Sequence, residues 1–398
     1  MLNQKGEREL AYVVIIDDIT PIDGYDRVEL AHVGGWTVVV GKGEFHPGDP
    51  AIYFEIDSKL PEIEPFSNMD FLVKKHYKVK TQRMCKSISQ GLLMSAENFG
   101  WRKFHDGVCR PDGTAFIISE GSRFLTKALD VTYVVPEDNE RKSSVDKYKK
   151  MAQRHGKLFS KQPFRWLMRR TWGKKLLFVF FGKKKDKRGW PAWVSKTDEE
   201  RVQNMTWVLT NKEPMVVTEK IDGTSTTFTL KKGKFGKTDF YVCSRNVVFD
   251  KPDKTCFYET NVYTEMAEKY DIENKMKKML NDLDTEWVTI QGETFGKGVQ
   301  NRDYSLNEHD FRAFNLVTPK EGRWGTTIAQ KYLEIYDIPF VPILDDKFIL
   351  PDTVEELLDY ATGKSVFDDK LREGVVIRSF NGSLSFKAVS NDYLLEYH

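Results

Sequence analysis

The chain has 398 residues, 40% of them hydrophobic, and its formal net charge at pH 7 is only +2. This length favours two domains over one and leaves ample core for each. The four cysteines have no C-x-x-C spacing, which argues against structural zinc and predicts free thiols in a reducing compartment. The longest apolar run, residues 176–181, falls far short of the roughly 20 residues that span a bilayer, and the first residues are polar. We expect a soluble cytoplasmic monomer without membrane contacts.

The amino-terminal region contains several short segments with the residue pattern of β-strands. They lie at residues 10–19, 28–33, 36–40, 51–56 and 88–94. Gly34 and Gly35 stand between two of them, which is a strong signal for a hairpin. Short strands at such intervals, rich in Gly and Val, predict a small β-barrel over residues 1–115.

Positive charge is concentrated in residues 141–188, where 18 Lys or Arg residues accompany two acidic ones. The segment therefore carries a net charge of +16, which leaves −14 for the rest of the chain. Seven Phe and Trp residues are interleaved with the charges, a pattern typical of binding to a phosphate backbone and stacked bases. A solvated linker and a membrane-surface segment remain alternatives. The position between two predicted domains favours an enlarged linker, residues 116–196, that contacts nucleic acid.

The sequence K-x-D-G at Lys220, Asp222 and Gly223 follows the short apolar strand 215–217. A lysine fixed at the end of a strand can act as a nucleophile on a nucleotide α-phosphate. The aspartate can orient the ammonium group or a metal, and the glycine lets a phosphate approach closely. The pattern is short and common, so its value depends on the rest of the chain.

Five further residues follow in an order that makes chemical sense. Arg245 follows a strand and offers a guanidinium group to a phosphate, while Glu293 places a carboxylate at the end of the next strand. Phe314 lies in a strand where an aromatic ring can stack on a base. Glu373 and Lys387 lie on two paired strands near the carboxyl end. Each has an ordinary structural explanation alone, in a turn, in a core or on a solvated strand face.

Together these segments resemble, in order and spacing, the motifs of the covalent nucleotidyltransferases, the superfamily of polynucleotide ligases and capping enzymes. The resemblance extends from Thr210 to the end of the chain. Only 11 residues follow Lys387, so we expect no OB domain after the last motif. With its predicted barrel and residues 196–204, the chain resembles ATP-dependent RNA ligases that carry an OB domain before the catalytic domain. This implies an α+β fold, an OB-like barrel followed by a nucleotidyltransferase domain of antiparallel sheets with flanking helices over residues 197–398.

The resemblance also implies a role for each motif residue. Lys220 is the nucleophile that becomes adenylated by ATP, and Asp222 and Glu373 bind Mg²⁺ or Mn²⁺. The implied partner is RNA, with a nicked duplex or an RNA/DNA hybrid as its candidate forms. The implied nucleotide contacts are Glu219 and Ile221 flanking the adenine, Phe314 and Val376 stacking on its two faces, Glu293 at the ribose, and Arg245 and Lys387 at the phosphates.

Two positions depart from the family pattern. Val389 stands where a second lysine is expected, and Asn315 stands where an aspartate commonly follows the stacking aromatic residue. A DNA nick ligase of unusual architecture is the alternative enzyme, and a GTP-using capping enzyme is a weaker one. An RNA-binding adaptor with a degenerate ligase fold is the alternative without catalysis.

Helical patterns also occur in the predicted catalytic domain. Residues 258–280 read as one helix whose apolar face includes Met266 and Met276, which we assign to the core. Thr353 and Glu356 form a predicted capping box at the start of another helix, which Gly363 ends.

Overall fold

The computed structural model of the protein describes residue 1 and residues 8–133, 161–181, 190–245, 247–249 and 261–397. The architecture is α+β, as predicted, with a strand-rich amino-terminal unit and a second unit of two antiparallel sheets flanked by helices.

The amino-terminal unit consists of short strands and one short helix. Its helix is α1 (Asp70–Lys74). Its strands are β1 (Ala11–Ile15), β2 (Asp18–Ile22), β3 (Tyr25–Val33), β4 (Trp36–Gly41), β5 (Pro50–Phe54), β6 (Ser58–Lys59), β7 (Gln82–Met84), β8 (Ser87–Ser89), β9 (Leu92–Met94), β10 (Arg102–Phe104), β11 (Gly107–Cys109), β12 (Ala115–Ile117) and β13 (Thr132–Tyr133).

Two three-stranded sheets, β1-β5-β9 and β2-β3-β4, pack face to face in this unit. The alternating buried residues of β4 meet the fully buried β5, and the rings of Trp36 and Tyr53 stack at 6.3 Å. The predicted hairpin at Gly34 and Gly35 is confirmed, since both have positive φ (54° and 79°) between β3 and β4.

Two strand predictions in this unit are wrong in extent. Residues 10–19 form two strands, β1 and β2, which belong to different sheets. Residues 88–94 also divide, because Gly91 has a φ of 105° and its missing Cβ would lie 2.7 Å from the carbonyl oxygen of Phe54. These breaks let short strands change sheets, which a pattern of apolar residues does not reveal.

Residues 116–133 pack with the barrel. Strand β12 pairs with β11, and the Val13 N–H donates to the carbonyl of Arg123 at 2.9 Å. Leu125 is fully buried in the barrel core, and β13 pairs with β6. We therefore propose that the amino-terminal unit extends to Tyr133, beyond the predicted boundary at residue 115.

Within the predicted linker, the structure describes a pair of helices, α2 (Gln162–Met168) and α3 (Thr171–Phe181). Leu177 is buried between them and packs against Phe164 and Leu167. The rest of the predicted basic segment, residues 141–160 and 182–188, lies outside the described residues.

The second unit contains the remaining strands and helices. Its strands are β14 (Met215–Lys220), β15 (Thr224–Lys232), β16 (Thr238–Cys243), β17 (Val248–Phe249), β18 (Trp287–Gly296), β19 (His309–Thr318), β20 (Gly322–Arg323), β21 (Ile343–Phe348), β22 (Gly374–Ser379) and β23 (Ser385–Val389). Its helices are α4 (Val262–Lys269), α5 (Ile272–Asp282), α6 (Thr326–Glu334), α7 (Val354–Ala361) and α8 (Asn391–Tyr397).

These strands form a four-stranded sheet, β21-β14-β22-β23, and a six-stranded sheet, β17-β16-β15-β18-β19-β20. Helices α4, α5 and α6 cover the larger sheet, and α7 covers the smaller one. Strand β14 leads directly into β15 across residues 221–223, so the K-x-D-G sequence lies where the chain crosses from one sheet to the other.

The predicted single helix over residues 258–280 is wrong. The chain forms α4 and α5, separated at Asp271, which has a positive φ of 47°. Residues 258–260 lie outside the described residues. The core assignment of Met266 and Met276 is confirmed, since both are fully buried. The capping box of Thr353 and Glu356 at the start of α7 is also confirmed.

Among the described residues, no helix combines the length and apolar character needed to cross a bilayer. Cys85, Cys109 and Cys243 are free thiols, and Cys256 lies outside the described residues.

A buried ion pair joins the loop between β18 and β19 to the loop between α7 and β22. The two terminal nitrogens of Arg302 each donate to one oxygen of Asp368 at 2.6 Å, and the side chains are only 1% and 3% exposed. Such a pair matters to stability mainly when one partner is lost, because the other charge then stays buried without a counter-charge.

We predict that Asp368→Asn lowers the free energy of unfolding by about 3 kcal/mol, because it leaves a buried guanidinium group without its counter-charge. The control is Glu286→Gln, which removes an exposed ion pair with Lys231 and costs less than about 1 kcal/mol. Urea unfolding followed by tryptophan fluorescence measures both. Equal losses in the two variants would contradict the importance of the buried pair.

Candidate active site

Lys220 and Glu373 meet between adjacent strands. Lys220 is the last residue of β14 and stands opposite Gly374, the first residue of β22, so Glu373 arrives beside it. The Lys220 Nζ donates to Glu373 Oε2 at 2.6 Å. The two side chains are 24% and 12% exposed, so the pair is largely sheltered and still open to a ligand.

Asp222 is held at both its backbone and its side chain. Its N–H donates to the hydroxyl oxygen of Tyr304 at 2.6 Å, and the hydroxyl of Tyr393 donates to Asp222 Oδ2 at 2.8 Å. Burial and the nearby charge of Asp222 raise the pKa of Tyr393 far above its ordinary value, so this hydroxyl remains a donor. The carboxylate that follows Lys220 therefore has a fixed orientation.

The structure shows a reason for a glycine at position 223 besides the predicted close approach of a phosphate. A Cβ at this position would lie 2.4 Å from the Thr294 carbonyl oxygen and 2.9 Å from Glu293 Cγ. The glycine thus lets β18 approach the turn, and this approach brings Glu293 towards Lys220.

Glu293 lies on β18 opposite Ser225 and is a third carboxyl group near Lys220. Burial raises the pKa of Glu293 to about 8, and the charges of Glu373 and Asp222 act in the same direction against the opposing charge of Lys220. Near neutral pH this carboxyl group is mainly protonated.

The two lysines respond to this environment in opposite ways. Burial alone would lower the pKa of Lys220, but the charges of Glu373 and Glu293 outweigh it and raise that pKa. Burial, together with the charges of Lys220 and Arg201, lowers the pKa of Lys387 to about 8. Lys220 is thus an ammonium ion in this state of the protein, and Lys387 loses its proton more easily.

Glu219 and Ile221 are both buried in this structure. The carboxylate of Glu219 is 1% exposed and accepts hydrogen bonds from Ser365 Oγ at 2.6 Å and from the Val366 N–H at 2.9 Å. Ile221 belongs to the core of the larger sheet. Contact of either residue with an adenine stays a prediction.

Phe314 and Val376 lie on different sheets, and both are half-buried. Arg378 joins the two sheets here, because its Nη1 donates to the Phe314 carbonyl oxygen at 3.0 Å and its guanidinium group lies 5.7 Å from the Phe314 ring centre. Two apolar side chains on neighbouring sheets are suited to the faces of a planar base.

Arg245 and the two residues that depart from the family pattern, Val389 and Asn315, each contact specific neighbours. Arg245 pairs with Asp198 at 2.8 Å, and both are about half exposed. Val389 is 3% exposed and packs with Ile88 of the barrel. Asn315 donates to Gln291 Oε1 at 3.0 Å inside the larger sheet.

The carboxyl groups around Lys220 are candidate ligands for a divalent cation. Among the described residues, no three His, Cys, Asp or Glu side chains converge closely enough to hold a metal by themselves. The charges of Asp222 and Glu373 nevertheless raise the pKa of Glu293, which indicates excess negative charge around one lysine. Mg²⁺ is commonly held by one or two carboxylates together with substrate phosphates and water, so these residues fit such an ion.

Several residues of the site were not anticipated from sequence. Tyr304, Ser365 and Tyr393 each bind a residue of the Glu219–Asp222 segment, and Arg201 has a buried Nη1 without a hydrogen-bond partner among the described residues. Tyr304, Ser365 and Tyr393 lie in no distinctive motif, and their partners are distant in the chain. The pairing of the K-x-D-G motif with Glu373, Glu293 and Lys387 was predicted by their order alone.

Residues 213–389 match the family model described as RNA ligase, and residues 10–96 match a model described as an OB-fold domain. A search of curated proteins finds no match.

Among solved structures, the chain is similar to a Naegleria gruberi RNA ligase with PPi, at 26% identity and a TM-score of 0.64 over 98% of this chain and 99% of the other. It is also similar to a mutant of that ligase with ATP and Mn, at 25% identity and a TM-score of 0.64, with the same coverage of both chains. A further mutant with AMP and Mn has 26% identity and a TM-score of 0.65, again over 98% and 99% of the two chains. Residues 10–96 are thus similar to an OB-fold domain and residues 213–389 to the RNA ligase family.

Proposed function

We propose that the protein is an ATP-dependent RNA ligase that joins a 3′-hydroxyl end to a 5′-phosphate end through a lysyl-AMP intermediate on Lys220. The observation that carries this proposal is the position of the Lys220 Nζ, 2.6 Å from Glu373 and within the field of Glu293 and Asp222. A partly open lysine in such a setting can attack a phosphoanhydride once its proton is removed.

The reaction has three steps, and in each of them a nucleophile attacks a phosphorus atom and a leaving group departs. The Lys220 amine attacks the α-phosphorus of ATP, a phosphoramide bond forms and pyrophosphate leaves. A 5′-phosphate oxygen of RNA then attacks the same phosphorus, so that AMP moves to the RNA end and Lys220 is released. Finally the 3′-hydroxyl oxygen attacks the 5′-phosphate and AMP leaves.

The surrounding residues fit the demands of the first transfer. Lys387, with a pKa of about 8, is placed near Lys220 and would contact the phosphates, with Arg245 as a further cation. Phe314 and Val376 would hold the adenine between the two sheets. Glu293, protonated near neutral pH, would donate to a ribose oxygen.

Asp222 and Glu373 would hold Mg²⁺ or Mn²⁺ together with ATP phosphates. A cation bound there supplies charge neutralisation and favours the free amine of Lys220, because it competes for Glu373. The Naegleria gruberi ligase structure with ATP and Mn supports ATP and a divalent cation as the cofactors.

Three alternative functions must be distinguished from the proposed RNA ligase activity. A DNA nick ligase would seal nicked DNA in preference to RNA ends, a capping enzyme would prefer GTP, and an adaptor would retain no label. Incubation with radiolabelled ATP or GTP and Mg²⁺ or Mn²⁺, followed by denaturing electrophoresis, distinguishes the last two. Nicked duplexes with RNA or DNA on each side of the nick test the first.

We predict that Lys220→Ala abolishes covalent labelling by ATP, and with it the ligation of 5′-phosphate RNA, because the nucleophile is missing. The variant retains sealing of RNA that is adenylated at its 5′ end beforehand, since that step does not use the Lys220 amine. Lys231→Ala, which removes a surface lysine from β15, is the control and labels like the parent. Label retained on Lys220→Ala would overturn the assignment.

We predict that Glu373→Gln lowers the rate of self-adenylation about tenfold to a hundredfold, because it removes a charged partner with little change in volume. The folded structure persists, which unchanged circular dichroism and melting temperature check. Single-turnover labelling at saturating ATP and Mg²⁺ measures the rate. Activity equal to that of the parent would show that the Glu373 charge has no role at the metal or at Lys220.

RNA capture would involve helices α2 and α3. Residues 162–181, which contain both helices and the turn between them, include five Lys or Arg and no acidic residue. Trp166 and Trp172 are each about half exposed, and the guanidinium group of Arg170 lies 4.6 Å from the Trp166 ring centre. Exposed indoles beside positive charges are suited to stacked bases and to phosphates.

We predict that deletion of residues 141–188 leaves self-adenylation intact but weakens RNA binding and flattens its salt dependence. Arg169→Ala with Lys175→Ala reduces the log–log slope by about 0.7 for each lost phosphate contact. Trp166→Ala weakens RNA binding without changing the slope. Salt titrations of RNA affinity measure these effects beside liposome sedimentation. Unchanged RNA affinity with lost vesicle binding would assign the segment to membranes instead.

A further inference from the structure

Helix α8 lies between the active site and the amino-terminal barrel. Its Tyr393 is fully buried and binds the carboxylate of Asp222 at 2.8 Å, although the two residues are 171 positions apart. The adjacent Leu394 packs against Ile88 of β8, and the Arg83 Nη1 of β7 donates to the carbonyl oxygen of Leu395 at 2.8 Å. Successive residues of one short helix thus contact Asp222 on one side and the barrel on the other.

The Tyr393 side chain is itself fixed by its neighbours. Its ring lies 4.6 Å from that of Tyr397, whose ring lies 5.3 Å from the guanidinium group of Arg302. Arg302 is the buried partner of Asp368 and also lies 4.5 Å from the Tyr304 ring centre. Because Tyr304 accepts the N–H of Asp222, this cluster holds both the backbone and the carboxylate of Asp222.

We propose that Tyr393 is a positioning residue for Asp222, and that α8 couples the docking of the amino-terminal barrel to the geometry of the adenylation site. The inference rests on the proposed function, because Asp222 matters to the reaction only if Lys220 is the nucleophile.

The orientation of this carboxylate has a chemical consequence. A carboxylate that accepts the Tyr393 hydroxyl at Oδ2 cannot rotate freely, so the direction of its other oxygen is fixed as well. Charged hydrogen bonds in sheltered sites are strong and directional, and losing a positioning contact costs rate more than substrate affinity.

The competing explanation is that Asp222 merely satisfies the hydroxyl of a buried tyrosine. Tyr393→Phe would then reduce stability without changing the reaction. The matched control is Tyr397→Phe, which removes a hydroxyl from the same helix and keeps the ring that faces Arg302. Both variants retain the aromatic packing of α8.

The test is single-turnover self-adenylation of the full-length protein with radiolabelled ATP over a range of ATP and Mn²⁺ concentrations. Measurements are made well below the melting temperature of every variant, so that stability losses do not enter the rate. Tyr393→Phe should lower the maximal rate about tenfold to a hundredfold. The half-saturating ATP concentration should change little, and Tyr397→Phe should match the parent.

The coupling through α8 is tested from the barrel side. Arg83→Ala removes the contact with Leu395 and should lower the same maximal rate by a smaller factor, whereas Arg102→Ala on the exposed strand β10 should leave it unchanged. Equal rates for Arg83→Ala and Arg102→Ala would overturn the coupling.

The possible failures are distinguishable. If the parent labels normally and Tyr393→Phe labels as fast as Tyr397→Phe, the positioning role is wrong and the proposed function stands. If the parent and both variants form no covalent adenylate, the proposed function fails and the inference fails with it.

Discussion

The ion pair between Lys220 and Glu373 is the contact around which the candidate site is arranged. It joins residues 153 positions apart and exists only because β14 and β22 are neighbours in the smaller sheet. The same pairing brings Lys387 on β23 near Lys220, while the turn after Lys220 carries the chain to the larger sheet. The two sheets therefore meet where the chain crosses between them. At this point two lysines and three carboxyl groups lie close enough to interact electrostatically.

That electrostatic environment explains why the site is suited to a highly charged substrate. Burial and the charges of Glu373 and Asp222 disfavour the ionised form of Glu293, and the charge of Lys220 only partly offsets them. A cation relieves this repulsion, and a triphosphate requires the same cation. The Glu373 charge favours the ammonium form of Lys220, which has no free electron pair for attack until the charge balance around it changes.

The two departures from the ligase motifs have structural uses. Val389, at the position of an expected lysine, is part of the apolar contact among Ile88, Leu394 and the smaller sheet. A charged side chain there would be buried against the barrel without compensation. Asn315 pairs with Gln291 as a neutral donor, so an aspartate at the same position would lack that hydrogen. Val389 thus supports the contact between the smaller sheet and the barrel, and Asn315 supports the larger sheet.

The sequence by itself determined Lys220 as the candidate nucleophile, the Gly34–Gly35 hairpin and the buried methionines, because each depends on local spacing or on side-chain chemistry. Residues such as Glu373 and Lys387 were predicted as members of an ordered set of motifs. Only the tertiary structure decided that the helical pattern breaks at Asp271, since a positive φ in a non-glycine residue is imposed by packing. It alone joined Tyr393 to Asp222 and residues 116–133 to the barrel, because long-range contacts leave no periodic trace in the chain.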